Sequence, residues 1–276
     1  MESEDKELRK VLVNGIEIAY RFDGPKNGRV VMMSNSLMSD LTMWDITVPA
    51  LVDRYCVLRY DTRGHGHSGT TPGPYSIALL ADDAVGLMDM LGIERMHFVG
   101  LSMGGMIAQQ IGARYPERVY SLSLCDTASE MSMRSVWEER LAIARSEGVA
   151  GLVDSTIQRW FTASFIANDP LAIEKVRRMI LTTGPEGYIA CGSAVRDMAQ
   201  TTMLLQVKTP TLVLVGRKDP ACTVEHATVI HRLIEGSHLV VLEDAAHLAN
   251  IEQPQAFNQA LRAFIDRVDD LISDPA

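Results

Sequence analysis

Short apolar runs alternate along the chain with longer stretches whose apolar residues recur at helical spacing. Residues 16–22, IEIAYRF, alternate at period two, the mark of a half-buried strand. VVMMS (30–34), CVLRYD (56–61), MHFVGLS (96–102) and VYSLSLCD (119–126) follow as further strand candidates. Between them, SIALLADDAVGLMDML (76–91) and MGGMIAQQIGARYP (103–116) place apolar residues at i, i+3 and i+4, which predicts helices. Strand, helix and strand in repetition predict right-handed crossovers and an α/β fold: a mostly parallel central sheet flanked by helices.

The alternation lapses between about residues 129 and 206. SVWEERLAIARSEG (135–148) and PLAIEKVRRMILTT (170–183) read as helices, and no convincing strand lies between 129 and 206. Strands resume with TPTLVLVG (209–216) and SHLVVLED (237–244), and PQAFNQALRAFIDRV (254–268) closes as a helix. A helical insertion late in a parallel sheet predicts a lid over the carboxyl ends of the strands, where such sheets bind ligands. The expected division is a core over 1–128, a helical lid or cap over 129–206, and the rest of the core over 207–276.

Composition narrows the class. The 276 residues are 47% hydrophobic and 22% charged, as in a soluble globular protein, and the formal net charge of −9 weighs against a nucleic-acid partner. The opening MESEDKELRK has no apolar stretch of the signal-peptide kind, and no run approaches the ~18 apolar residues of a membrane span. The four cysteines, at 56, 125, 191 and 222, form no CxxC pair, and Cys56 and Cys125 sit in apolar runs as buried free thiols would. A reducing, cytoplasmic setting is the expectation.

The sharpest chemical signal is Gly100-Leu101-Ser102-Met103-Gly104, which fits G-x-S-x-G between a strand and a helix. A tight turn there lifts a serine oxygen above the sheet, and glycines flank it because a Cβ would strike the neighbouring strand and helix. The following helix also aims its N-terminal N–H groups at the site. A nucleophilic serine needs a base and an orienting acid. LVLVGRKDPACT places Asp219 just after a strand, and VVLEDAAHLANIE places His247 between the last strand and the last helix. The order Ser102, Asp219, His247 is that of the α/β-hydrolase fold, which the chain resembles over essentially its whole length. Asp126, in LSLCDTAS, is the competing acid, because some members of that fold draw it from the earlier strand end. His65 and His67 in DTRGHGHS form an H-x-H pair without an evident third metal ligand, and their segment matches the D-x-x-G-x-G-x-S turn of this fold, a structural role.

Several stretches narrow the resemblance. SNSL with the following SDLTMW, LRYDTRGHGHS, GPYSI, GLSMGG, QRWFTASF (158–165) and EGYIACGSAVRDMA (186–199) are similar to the 3-oxoadipate enol-lactonases. The resemblance implies hydrolysis of an enol-lactone in aromatic catabolism, through an acyl-enzyme, with no cofactor and no metal. Asn35-Ser36-Leu37 falls where many relatives carry His-Gly and an apolar residue, so the backbone N–H groups of Leu37 and Met103 are the expected oxyanion donors. A small anionic ring implies an arginine near the pocket, with Arg63 and Arg159 as candidates, and Trp160 as a roof. Each has a structural role to set against this: Arg63 in its own turn, Arg159 in pairing with lid acids, Trp160 in lid packing. Met38 stands where the family pattern suggests glycine, and Asp126 where asparagine is more familiar. Those departures leave room for a broad-scope carboxylesterase or a lactonase for uncharged rings, and the fold itself also serves as a small-molecule receptor with very slow turnover.

Overall fold

The computed structural model describes residues 7–131 and 133–273; residues 1–6 of the charged opening run lie outside them. The elements in chain order are β1 (Arg9–Val13), β2 (Ile16–Asp23), β3 (Val30–Ser34), β4 (Cys56–Tyr60), α1 (Ile77–Met90), β5 (Met96–Leu101), α2 (Met103–Arg114) and β6 (Val119–Cys125). Then come α3 (Arg134–Glu147), α4 (Val153–Trp160), α5 (Ala163–Asn168), α6 (Pro170–Leu181) and α7 (Pro185–Asp197). The chain ends with β7 (Thr211–Gly216), α8 (Val224–Leu233), β8 (His238–Leu242), α9 (Ala249–Glu252) and α10 (Pro254–Ser273).

The eight strands form one sheet in the order β1-β2-β4-β3-β5-β6-β7-β8. From β4 to β8 every neighbouring pair is parallel, while β1 and β2 join antiparallel at one edge. The parallel strands read as continuous apolar runs because crossover helices leave neither of their faces in water. Every residue of β4, β5 and β7 is buried. β1 is not among the strands that the sequence pattern predicts, and its first two residues, Arg9 and Lys10, end the charged opening run. Asn14-Gly15, at φ 47° and 81°, closes the β1–β2 hairpin, and this Asn-Gly step between two apolar runs is the local signal that marks it.

No named strand lies among the described residues between β6 and β7, only an isolated bridge from Glu130 to Ala199. Helices α3 to α7 fill this interval. The Gln200 side chain donates to the Met106 carbonyl at 3.1 Å and to Gln109 Oε1 at 3.0 Å, tying the end of the insertion to α2. At the other side Leu248 N–H donates to the Trp160 carbonyl at 3.1 Å, and both the backbone N–H and the hydroxyl of Thr162 reach Glu252 Oε1.

The insertion also meets the core backbone to backbone. A Cβ on Gly187 in α7 would stand 2.0 Å from the carbonyl oxygen of Gly64, in the turn after β4. Helix propensity alone favours alanine over glycine by about 1 kcal/mol. Here the contact outweighs it, and Gly187→Ala is expected to lose about 1–3 kcal/mol by forcing α7 off the turn. A urea unfolding midpoint at or above that of the wild type would show that the two backbones are not held in contact.

Candidate active site

The site is built around the turn from β5 into α2. Ser102 lies at φ 56°, ψ −114°, a conformation that non-glycine residues seldom adopt and that places its side chain on the outside of the bend. Room for the bend comes from glycine. A Cβ on Gly100 would lie 2.1 Å from Gly104 O, and one on Gly104 would lie 2.1 Å from Ser34 O. The turn is then pinned by Ser102 N–H to Cys125 O at 2.9 Å, Gly104 N–H to Asn35 O at 3.0 Å, and Thr127 Oγ1 to Ser102 O at 2.7 Å.

His247 and Asp219 arrive from the loops after β8 and β7. His247 Nδ1 lies 2.7 Å from Asp219 Oδ2, and both residues are 3% exposed. The other carboxylate oxygen accepts from Ala221 N–H at 2.7 Å and Cys222 N–H at 2.9 Å, so the acid is fixed by its own turn. Ser102 and His247 line one cavity together with Ser36, Leu37 and Met38 from the loop after β3. Met106, Met131, Trp137, Trp160, Val195, Ala221 and Cys222 supply most of the remaining wall, and Arg140, Thr156 and Arg159 its polar part.

Asp126, the competing acid, is fully buried at the end of β6 with φ 43°, and its Oδ1 accepts from Gly216 N–H at 2.7 Å. Burial, and then the nearby charge of Asp219, push its carboxyl well above the usual range. The hydrogen bond to the imidazole goes to Asp219 instead. Other histidines lie elsewhere: His65 is buried and accepts from Met38 N–H, His67 is exposed, His97 pairs with Ser121, and His231 with Ser237. Among the described residues one group of three potential metal ligands occurs, Asp219, Cys222 and His247. It coincides with the acid and base, and burial pushes the Cys222 thiol up, which keeps its proton on sulfur.

The loop after β3 is held by its own polar side chains. Asn35 donates to Tyr60 O at 2.9 Å and accepts from Trp44 Nε1 at 2.9 Å, so it serves the loop and not the cavity. Ser36 N–H faces the Met43 sulfur, Met38 N–H faces His65 and Ser39 N–H goes to Ser36 O. Leu37 N–H is left without an acceptor in this turn among the described residues. Met103 opens α2, so its N–H is one of the helix's unsatisfied amino-terminal donors.

The two arginines named from the sequence part company. Arg63 does not line the cavity: Nε and Nη2 grip Asp83 at 2.6 and 2.7 Å, and the remaining donors go to Thr71 and the Asn14 carbonyl. Its expected contact with substrate is corrected by this pairing, which stitches the β4 turn to α1. Arg159 does line the cavity, as do Trp160 and Met38. Arg140 joins it from α3, donating to Thr156 Oγ1 at 2.9 Å and Tyr188 Oη at 3.2 Å. Neither Arg140 nor Arg159 has a carboxylate partner among the described residues. Burial first, and then the like charge of Arg140, pull the Arg159 guanidinium below its ordinary value. Arg140 went unnoticed in the sequence, although it shares a helix face with Trp137, Leu141 and Ala144, where an arginine interrupts an apolar stripe.

A family model described as the alpha/beta hydrolase fold matches residues 30–254. The chain belongs to that family. The hydrolase is 35% identical over 252 residues to 3-oxoadipate enol-lactonase 2 of Acinetobacter baylyi, covering 91% of this chain and 94% of that one. The crystal structure of the enol-lactonase from Burkholderia xenovorans LB400 superposes with a TM-score of 0.92 at 39% identity, over 94% of this chain and 100% of that chain. A malate-bound thermophilic esterase from Thermogutta terrifontis superposes at 0.88 with 33% identity, over 95% and 99%.

The acids separate by substitution. Asp219→Asn is expected to lower kcat about 10³- to 10⁴-fold, as loss of the orienting charge does in a hydrolase triad. Asp126→Asn alters a carboxyl that is pushed upward by burial and makes no contact with the imidazole, and is expected to change kcat by no more than about threefold. Activity lost only in Asp126→Asn would reverse the assignment.

The same Asp126 shift carries a stability consequence. A carboxyl raised in the folded state keeps its proton where the unfolded chain has released it, so the folded state is disfavoured increasingly as pH rises above about 4. Asp126→Asn removes that penalty. Its urea midpoint is expected to exceed that of the wild type by a margin larger at pH 8 than at pH 5; a margin that shrinks with pH would mean an ionised Asp126.

Proposed function

We propose that the hydrolase cleaves a small anionic lactone or ester by acyl transfer, with a 3-oxoadipate enol-lactone as the best-supported substrate. Ser102 Oγ attacks the carbonyl while His247 takes its proton. Asp219, against Nδ1 at 2.7 Å, keeps the imidazole in the tautomer that leaves Nε2 to act as base and stabilises the imidazolium that forms. Charge on the carbonyl oxygen is received by the N–H groups of Leu37 and Met103. In a lactone the leaving oxygen stays tethered to the acyl group, so ring opening gives an acyl-enzyme carrying an enol, which His247 protonates as it departs. Water, activated by the same histidine, then releases the acid.

The observation that carries the substrate class is the pair Arg140 and Arg159. Two guanidiniums face a partly desolvated cavity without carboxylate partners, an arrangement that an anionic ligand completes. Relatives named for enol-lactone hydrolysis support the same reading. A broad-scope carboxylesterase is the second reading, favoured by the apolar remainder of the wall and by the likeness to an esterase.

The experiment compares rates on the anionic enol-lactone, an uncharged lactone and a short-chain aryl ester. The anionic ring is expected to lead in kcat/KM, and preference for the aryl ester by orders of magnitude would sink the narrow reading. Ser102→Ala is expected to leave at most about 10⁻³ of the wild-type kcat on any accepted substrate. Arg140→Gln and Arg159→Gln are each expected to lower kcat/KM for the anionic ring by about 10- to 100-fold, with a much smaller effect on the aryl ester. Equal losses on both substrates would mean that the arginines hold the lid and not the anion.

A further inference from the structure

One histidine outside the triad touches the loop that carries Leu37. Met38 sits at φ 65°, in the left-handed region where a Cβ crowds the following carbonyl and glycine is the ordinary occupant. Its N–H donates to His65 Nε2 at 3.0 Å. Because Nε2 accepts, the imidazole proton belongs on Nδ1, which faces the Arg63 carbonyl at 3.3 Å. Burial pushes the imidazole down to about 4, so this neutral tautomer is the one present near neutral pH.

His65 is itself rigidly based. Its turn is closed by Asp61, whose two oxygens accept from Leu41 N–H at 2.7 Å and His67 N–H at 2.8 Å. Gly64, one residue before, abuts Gly187 of α7. The left-handed methionine also has a purpose in the cavity: its sulfur lies 3.7 Å from Arg140 Nη2 and 3.8 Å from Thr156 Oγ1. A glycine would relieve the backbone and lose that wall. Methionine keeps the wall and needs an external hold on the turn.

We infer that His65 is a positioning residue for the oxyanion loop: its Nε2 tethers Met38 in the left-handed turn that presents the Leu37 N–H to the reacting carbonyl. The inference rests on the acyl-transfer reading above. It separates His65 from the ordinary role of a turn-forming residue, because loss of the tether falls on the transition state and not on substrate binding.

The test uses kcat, KM and affinity for phenylboronic acid, a probe whose serine adduct places an oxygen where the oxyanion forms. His65→Leu is expected to lower kcat on the aryl ester about 10- to 100-fold and to weaken the boronate by a similar factor, with KM within about twofold. His65→Gln, which keeps an acceptor, is expected to recover most of both losses. The double variant Met38→Gly/His65→Leu is expected to recover as well, since glycine holds the left-handed conformation without a tether. A folded His65→Leu with unchanged boronate affinity, or with its whole loss in KM, overturns the inference, as does a double variant no better than the single one. If His65→Leu alone does not fold, the double variant and His65→Gln decide by the same two readouts. A wild type that binds no boronate counts instead against Ser102 as nucleophile, so the two failures are told apart.

Discussion

Everything in the site follows from one steric constraint, the passage of α2 beneath the ends of β3 and β5 at backbone contact distance. With Cβ atoms absent at 100 and 104, Ser34, Gly100 and Gly104 approach closely enough for the chain to reverse within a single residue. That residue is Ser102, held at positive φ by neighbours that leave it no alternative. The bend sets Ser102 in the cavity wall, directly before the first residue of α2. The Ser102 turn and the start of α2 are thus a single mechanical consequence, and the Gly104 N–H bond to Asn35 O extends it to the loop after β3.

His247 is placed by a longer-range device. Glu252, mostly buried in α9, accepts from Ala246 N–H, next to His247, through Oε2, and from the Thr162 N–H of the inserted helices through Oε1. Leu248 N–H binds the Trp160 carbonyl one step further on. The histidine loop and the wall carrying Arg159 and Trp160 are therefore fastened to one carboxylate. Movement of α4 away from the cavity would disturb the base as well as the substrate wall, so access and competence are mechanically linked.

The fold and the strand-to-helix elbow were largely legible because both depend on short-range patterns. Apolar runs mark buried parallel strands, and G-x-S-x-G between strand and helix marks the elbow. The β1–β2 hairpin escaped because an exposed edge strand has little apolar periodicity, although Asn14-Gly15 announced its turn. The choice between Asp219 and Asp126 is not a sequence property: both follow strands, and only burial and the Nδ1 contact distinguish them. Arg63 and Arg140 show the same limit from opposite sides. Arg63 lies in a recognisable motif but is neutralised by Asp83, 20 residues away, whereas Arg140 lies in an unremarkable helix and faces the cavity.

Net charge need not set the sign of a local site, and the reason is screening. The chain carries −9 overall, yet exposed charges act over about 8 Å at physiological ionic strength. Two half-buried guanidiniums, out of 26 basic residues, act in a poorer dielectric and at contact distance. They are also like charges, and the repulsion helps hold the Arg159 guanidinium below its ordinary value. Met38, which stands at positive φ in the same cavity wall, is accommodated by the bond from its N–H to His65 Nε2.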